Sequence, residues 1–171
     1  MLPSGQMLLN RLKLNLINME DKVDFLLNGE KIKYIINDGD ITLLSLLRDE
    51  FNLKATKYGC GMGQCGSCKV LVDGKAMNSC QISIWNLNKK SLVTLEGLQQ
   101  DPVFLKLKES FFKEDAAQCG ICISGMLISC YSLLNKKIKI DKESLGKELQ
   151  ENLCRCGIHH KVIKAMLKVS M

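Results

Sequence analysis

The sequence predicts an α+β chain in two parts: a small mixed sheet with one helix across it, then a bundle of four short helices. Three observations predict it. Through the first half, apolar residues alternate with polar ones on either side of the turn dipeptides Asn28-Gly29 and Asp73-Gly74. From Asp101 onward the apolar residues recur at the three-and-four spacing of amphipathic helices. Eight of the nine cysteines gather into two groups, one in each half.

Taken in order, residues 1–20 carry no clear period and read as an N-terminal extension, or as an over-long start with Met19 as the true one. The first domain is expected over residues 21–96. It opens with a hairpin in which Val23 and Phe25 lead to Asn28-Gly29, and Ile32, Tyr34 and Ile36 alternate with Lys31 and Lys33. Asp38-Gly39-Asp40 marks another turn, and Leu43, Leu44, Leu46 and Leu47 fit a short helix with one buried face. After the cysteine loop, Lys69-Val70-Leu71-Val72 and Lys75-Ala76-Met77 flank Asp73-Gly74 as a second hairpin, and Ser91 to Leu95 reads as the last strand. The domain boundary is expected in the link at residues 97–100, with the second domain over residues 101–171. There, Asp101-Pro102 starts a helix by capping and by a fixed first-turn φ. Further helices are expected from Ser124 to Leu134, from Asp141 to Glu151 and from Ile158 to Val169.

The chemistry lies in the cysteines. Cys60, Cys65 and Cys68 fall within nine residues, and Cys80 follows after eleven more. A spacing of four residues then two, with a later fourth thiol, is that of plant-type 2Fe-2S ferredoxins, whose two irons take four thiolates. Gly59, Gly61, Gly63 and Gly66 let the backbone turn through positive φ and bring N–H groups up to sulfur. The second hairpin is what returns Cys80 to the other three. Cys119 and Cys122 lie at the join of the first two bundle helices, Cys154 and Cys156 at the join of the last two. If both joins meet at one end of the bundle, four thiolates converge on a second metal site. Structural zinc also takes four cysteines and stays open as a reading of either set, although an iron-sulfur loop in the same chain favours a second cluster. Cys130, on the apolar face of its helix, reads as a small buried hydrophobe.

Composition bounds the rest. With 46% hydrophobic and 25% charged residues among 171, the chain is an ordinary globular one. Its net charge of +6 comes from dispersed lysines such as Lys89-Lys90 and Lys136-Lys137, which describes a solvated surface rather than a nucleic-acid patch. The first 30 residues lack the pattern of a secretory signal and no apolar run is long enough to span a bilayer. Reduced, metal-binding thiols in the cytoplasm are therefore expected, with export alongside a partner as the other route.

The order Gly59-Cys60, Gly63, Cys65-Gly66, Cys68, Cys80, then Gln118-Cys119-Gly120, Cys122, then Asn152-Leu153-Cys154-Arg155-Cys156 resembles the small iron-sulfur subunit of the molybdenum hydroxylases, the xanthine dehydrogenase and aldehyde oxidoreductase family. The resemblance covers residues 21–171. It implies an N-terminal β-grasp ferredoxin-like domain holding one 2Fe-2S cluster on Cys60, Cys65, Cys68 and Cys80. It further implies a C-terminal four-helix bundle holding the other on Cys119, Cys122, Cys154 and Cys156, nearer the molybdenum. Gln118 would contact a molybdopterin cofactor held by a large partner subunit, and a flavin subunit or a cytochrome would accept the electrons. By this resemblance the chain belongs to an oxidoreductase but performs no substrate chemistry itself and has no catalytic residue. Ile123-Ser124 and Gly157-Ile158-His159 depart from the common Thr-Pro and Thr-Gly-Tyr and look like the isoquinoline 1-oxidoreductase branch; Ser124 is expected to cap its helix in place of the proline. His159 and His160 read as packing or surface residues. Arg155 reads equally as a charge near the second cluster or as a surface ion-pair partner. A free-standing two-cluster carrier, a zinc-stabilised interaction module and a catalytic-cysteine protein are the other readings open to the sequence.

The expected outcome of metal analysis on anaerobically prepared protein is about four irons per chain and two distinct paramagnetic signals on reduction. Zinc without sulfide would contradict it.

Overall fold

The computed structural model describes residues 22–36, 39, 41–136 and 140–170. The expected extension at residues 1–20 and the Asp38 and Asp40 positions of the expected turn lie outside the described residues. Strands β1 (Lys22–Leu27) and β2 (Glu30–Ile35) form the first hairpin, with Val23 opposite Tyr34 and Phe25 opposite Ile32. Asn28 and Gly29 have φ of 52° and 89°, the double left-handed turn that matches strand twist. Strands β3 (Lys69–Val72) and β4 (Lys75–Asn78) repeat the device, with Asp73 at φ 48° and Gly74 at φ 78°. Strand β5 (Ser91–Val93) then runs parallel to β1 and antiparallel to β3, giving the sheet order β2-β1-β5-β3-β4.

Helix α1 (Leu43–Ser45) is capped by the Thr42 hydroxyl, which accepts from the Ser45 amide at 3.2 Å. It continues as a wider π-helical turn over Leu46–Glu50, closed by the Phe51 N–H on the Leu46 carbonyl at 3.1 Å. The turn leaves Leu43, Leu44, Leu46 and Leu47 all buried, and three of them join Val23, Phe25, Leu27 and Leu92 in the core of the sheet half.

In the second half, α2 (Pro102–Lys113) begins as expected, with the Asp101 carboxylate accepting from Val103 and Phe104 at 2.9 and 2.8 Å. Helix α3 (Ile123–Asn135) is the central rod, buried from Ser124 through Leu133. Helix α4 (Lys142–Leu149) opens with a reciprocal cap between Asp141 and Ser144, and α5 (His159–Ser170) packs against α2. The expected capping role of Ser124 is corrected. The helix already starts at Ile123, the Met126 N–H takes the Cys122 carbonyl at 3.0 Å, and Ser124 lies inside the helix, buried.

The two halves share a packed seam. Leu71 of β3 and Leu95 and Leu98 of the connecting 3-10 turn lie in the helical core. The Ser132 hydroxyl of α3 accepts from the Ala76 N–H and donates to the Gly74 carbonyl, both at 3.3 Å. The closest approach is between glycines: a Cβ on Gly125 of α3 would fall onto the Gly66 carbonyl oxygen and within 2.8 Å of its carbon.

Helix propensity alone favours alanine over glycine, by about 0.5–1 kcal/mol. Gly125→Ala is nevertheless expected to lower stability by about 1–3 kcal/mol through overpacking. Gly146→Ala in α4, where a Cβ meets nothing within 4 Å, is expected to raise it by about 0.5–1 kcal/mol. Denaturant unfolding of the two variants checks the contrast.

Candidate metal centres

The first loop is fastened at its entry, crown and exit. The Arg48 guanidinium donates to the Thr56 carbonyl at 2.7 Å, and the Ala55 N–H donates to the Glu96 carboxylate at 2.8 Å. At the crown, Asn78 on β4 donates its side-chain amide to the Gly63 carbonyl at 2.7 Å. At the exit, the Ser79 hydroxyl donates to the Cys68 carbonyl at 2.7 Å, which brings Cys80 beside Cys68; both thiols are buried against Leu44.

Within this frame backbone amides point at sulfur. The Cys60 N–H donates to the Cys65 Sγ at 3.3 Å, and the Met62 and Gln64 N–H groups donate to the Cys60 Sγ at 3.4 and 3.3 Å. Gly59 leaves room for this: a Cβ there would stand 2.6 Å from the Cys65 sulfur. The Met62 amide above all, with those of Cys65 and Gln64, draws the Cys60 thiol down to about 7 against the opposing effect of burial. Burial and the neighbouring Cys80 thiol push Cys68 up to about 11. The first set thus stands as two pairs, Cys60 with Cys65 and Cys68 with Cys80.

The second set stands as two linked pairs. Cys122 lies against Cys154, and Cys119 against Cys156, whose sulfur also faces the Cys119 N–H. Cys122, buried at the start of α3, is pushed up to about 12 by desolvation and then by Cys154. Cys154 is held below the ordinary thiol value. Burial is the largest single effect and acts the other way, but it is outweighed by the Ile158 N–H, the Cys122 thiol and the Cys156 and Gly157 amides together.

This arrangement fits a 2Fe-2S core in each set. The donors are thiols alone, amide N–H groups are aimed at the sulfurs, and two pairs match a core that takes two thiolates on each iron. Among the described residues, no three His, Cys, Asp or Glu side chains gather as a single metal ion requires. Cysteines of both sets line one cleft of about 580 Å³: Cys60 and Cys65, with Gly59, from the first set, and Cys119, Cys122 and Cys154 from the second.

Gln118 is exposed next to Cys119, the exposed cysteine of the second set. Arg155 is exposed and lines the cleft. Cys130 is fully buried in the helical core, and desolvation pushes it up to about 12, so it takes no part in either set. His159 bonds through Nε2 to the Asn152 carbonyl at 2.7 Å and His160 through Nδ1 to the Gly157 carbonyl at 3.2 Å. Both therefore act as donors that brace the second loop.

Sequence reasoning missed the polar seam between the loops. Lys69, the first residue of the expected strand, is only 3% exposed. Its amine donates to the Ser129 hydroxyl at 3.0 Å and to the Asn152 side-chain oxygen at 3.2 Å. The Asn152 amide donates to the Gly66 carbonyl at 3.3 Å, and the Leu153 N–H to the Cys65 carbonyl at 3.0 Å. The one signal for it was a lysine leading the apolar run Val70-Leu71-Val72 directly after a cysteine.

Residues 25–91 match the family model described as a 2Fe-2S iron-sulfur cluster binding domain, and residues 94–167 the one described as a 2Fe-2S binding domain. The chain is 34% identical over 140 residues to the nicotinate dehydrogenase small FeS subunit of Eubacterium barkeri, covering 82% of this chain and 88% of that one. It is 34% identical over 146 residues to the nicotine 6-hydroxylase small subunit of Paenarthrobacter nicotinovorans, covering 85% and 87%. The structure of quinoline 2-oxidoreductase from Pseudomonas putida 86 superimposes with a TM-score of 0.78 at 32% identity, covering 85% of this chain and 89% of that one. Aldehyde oxidoreductase from Desulfovibrio gigas gives 0.79 at 26% identity, over 87% of this chain and 17% of the larger one.

Cys154→Ser is expected to abolish one paramagnetic signal of the reduced protein and Cys60→Ser the other, each leaving its neighbour in place. Loss of both signals in either variant, with the fold intact by circular dichroism, would contradict two separate centres.

Proposed function

The chain belongs to the small iron-sulfur subunits of the molybdenum hydroxylases, and we propose that within such an assembly it relays electrons from a molybdopterin centre in a larger partner subunit to an outside acceptor. The observation that carries this reading is the single cleft lined by cysteines of both sets. When bound, 2Fe-2S clusters accept and release one electron at a time. Cys60, Cys65, Cys68 and Cys80 would hold one, and Cys119, Cys122, Cys154 and Cys156 the other. The amides of Met62 and Gln64 at Cys60, and of Ile158 and Gly157 at Cys154, then stabilise the added negative charge.

The two ends have different roles in this reading. Exposed Gln118, beside exposed Cys119, meets the molybdopterin, since its amide both donates and accepts. Exposed Tyr58 and Met62 mark the other end, where a flavin subunit or a cytochrome takes the electrons. Residues 21–96 and 101–171 serve as the two cluster-holding units, and the cytoplasm, where thiols stay reduced, is the compartment inferred for the assembly. No described helix is long and apolar enough to cross a membrane.

Native isolation with metal and cofactor analysis tests the proposal. The expected result is co-purification with a larger molybdenum-containing chain, together with flavin or haem that identifies the acceptor. A chain that isolates alone with both centres loaded would instead be a free-standing carrier. Gln118→Ala is expected to weaken a neutral hydrogen bond by about 1 kcal/mol, slowing reduction of the centres by substrate a few-fold without altering iron content. An unchanged rate would remove Gln118 from the electron entry.

A further inference from the structure

Lys69 follows Cys68 directly and opens β3, where it shares with Leu71 the strand face turned to the helical core, and its side chain reaches α3. There its amine is enclosed by three acceptors: the Ser129 hydroxyl at 3.0 Å, the Asn152 side-chain oxygen at 3.2 Å and the Glu151 carboxylate at 3.4 Å. Three acceptors match the three N–H donors of an ammonium. The Ser129 hydroxyl itself donates to the Asn152 oxygen at 2.9 Å, so the group is closed on itself. Two members are tied to the cysteine loops, Lys69 by following Cys68 and Asn152 by its place and its bond. Asn152 lies two residues before Cys154 and bonds the Gly66 carbonyl between Cys65 and Cys68. Glu151, by contrast, is 72% exposed, so water screens its charge while that of Lys69 stays in a dry surround.

Packing does not explain a cation here. An apolar side chain of similar volume fills such a place at a lower desolvation cost, and the serine and asparagine already satisfy one another. A fixed positive charge does have an electrical consequence. One-electron reduction adds negative charge to a thiolate-ligated centre, and a nearby cation in a low-dielectric surround favours the reduced form.

We propose that Lys69 is the positioning charge of this relay: its buried ammonium raises the reduction potential of the centres built on Cys68 and Cys154, with Glu151 as the exposed counter-charge that moderates it. The inference rests on both cysteine sets being loaded, which iron and sulfide content establish separately from any potential.

The test is an EPR-monitored redox titration of the holoprotein and of Lys69→Met, Lys69→Gln, Lys69→Arg and Glu151→Gln. With iron content at the wild-type level, Lys69→Met is expected to make reduction about tenfold less favourable, a fall of about 59 mV for a one-electron step. The fall persists at high salt, because a buried charge is poorly screened. Lys69→Gln gives the same direction if the methionine variant does not fold. Lys69→Arg keeps the wild-type potentials, and Glu151→Gln moves them upward. A fall at either centre upholds the proposal. Unchanged potentials at both centres in a loaded neutral variant overturn it and leave Lys69 a structural residue only. Wild-type protein without iron would instead remove the electron-relay reading itself.

Discussion

The structure depends on one close approach, that of the Gly66 backbone to Gly125 and Asn152. Gly66 sits between two candidate ligands of the first set, at φ 69°. A side chain there would collide with the Glu151 carbonyl oxygen and stand 2.7 Å from the Asn152 amide nitrogen. Because neither glycine carries a Cβ, the first cysteine loop lies directly on the start of α3 and on the strand of chain leading into Cys154. That contact brings two short cysteine loops, distant in sequence, to line one cleft. Buried polar atoms of Lys69, Ser129 and Asn152 at the contact are paired with one another, which makes the seam specific as well as tight.

Much of this was legible in the sequence, for local reasons. Asn28-Gly29 and Asp73-Gly74 announce their hairpins because few other pairs take two positive φ angles in succession. Asp101-Pro102 and Asp141 announce helix starts by chemistry confined to a single turn. Cysteine spacing announces the metal centres because each set must reach one core. What was not legible is long-range or depends on burial. The parallel pairing of β1 with β5 joins Leu27 to Leu92 across most of the first domain, and the widened turn after Ser45 shares its leucine pattern with an ordinary helix. Ser124 carries the residue type of a cap, but the preceding Cys122 carbonyl already starts the helix ahead of it. Lys69 has the composition of a surface residue, and only the tertiary contact with α3 reveals it as buried.

The electrostatic design follows from the same geometry. Thiolate-ligated centres are anionic, and the chain meets that charge chiefly with backbone amides, which are fixed in place and need no counter-ion of their own. Side-chain charge is used sparingly near the sulfurs, and most lysines stay on the outside, such as Lys147 paired with Glu143 at 2.8 Å. The carboxylate of Glu114 joins Lys164 at 2.8 Å and Lys168, fastening the end of α2 to α5.

Cysteines of both sets line one cleft, and the relay requires that the two metal centres they would hold lie close enough for an electron to pass between them. Low-temperature EPR of the fully reduced protein tests it most directly, since two unpaired spins at close range broaden or split each other's signals. Mutual splitting is expected, with a simple unsplit line for either centre when the other set is disabled. Two signals that add without perturbing each other would contradict it.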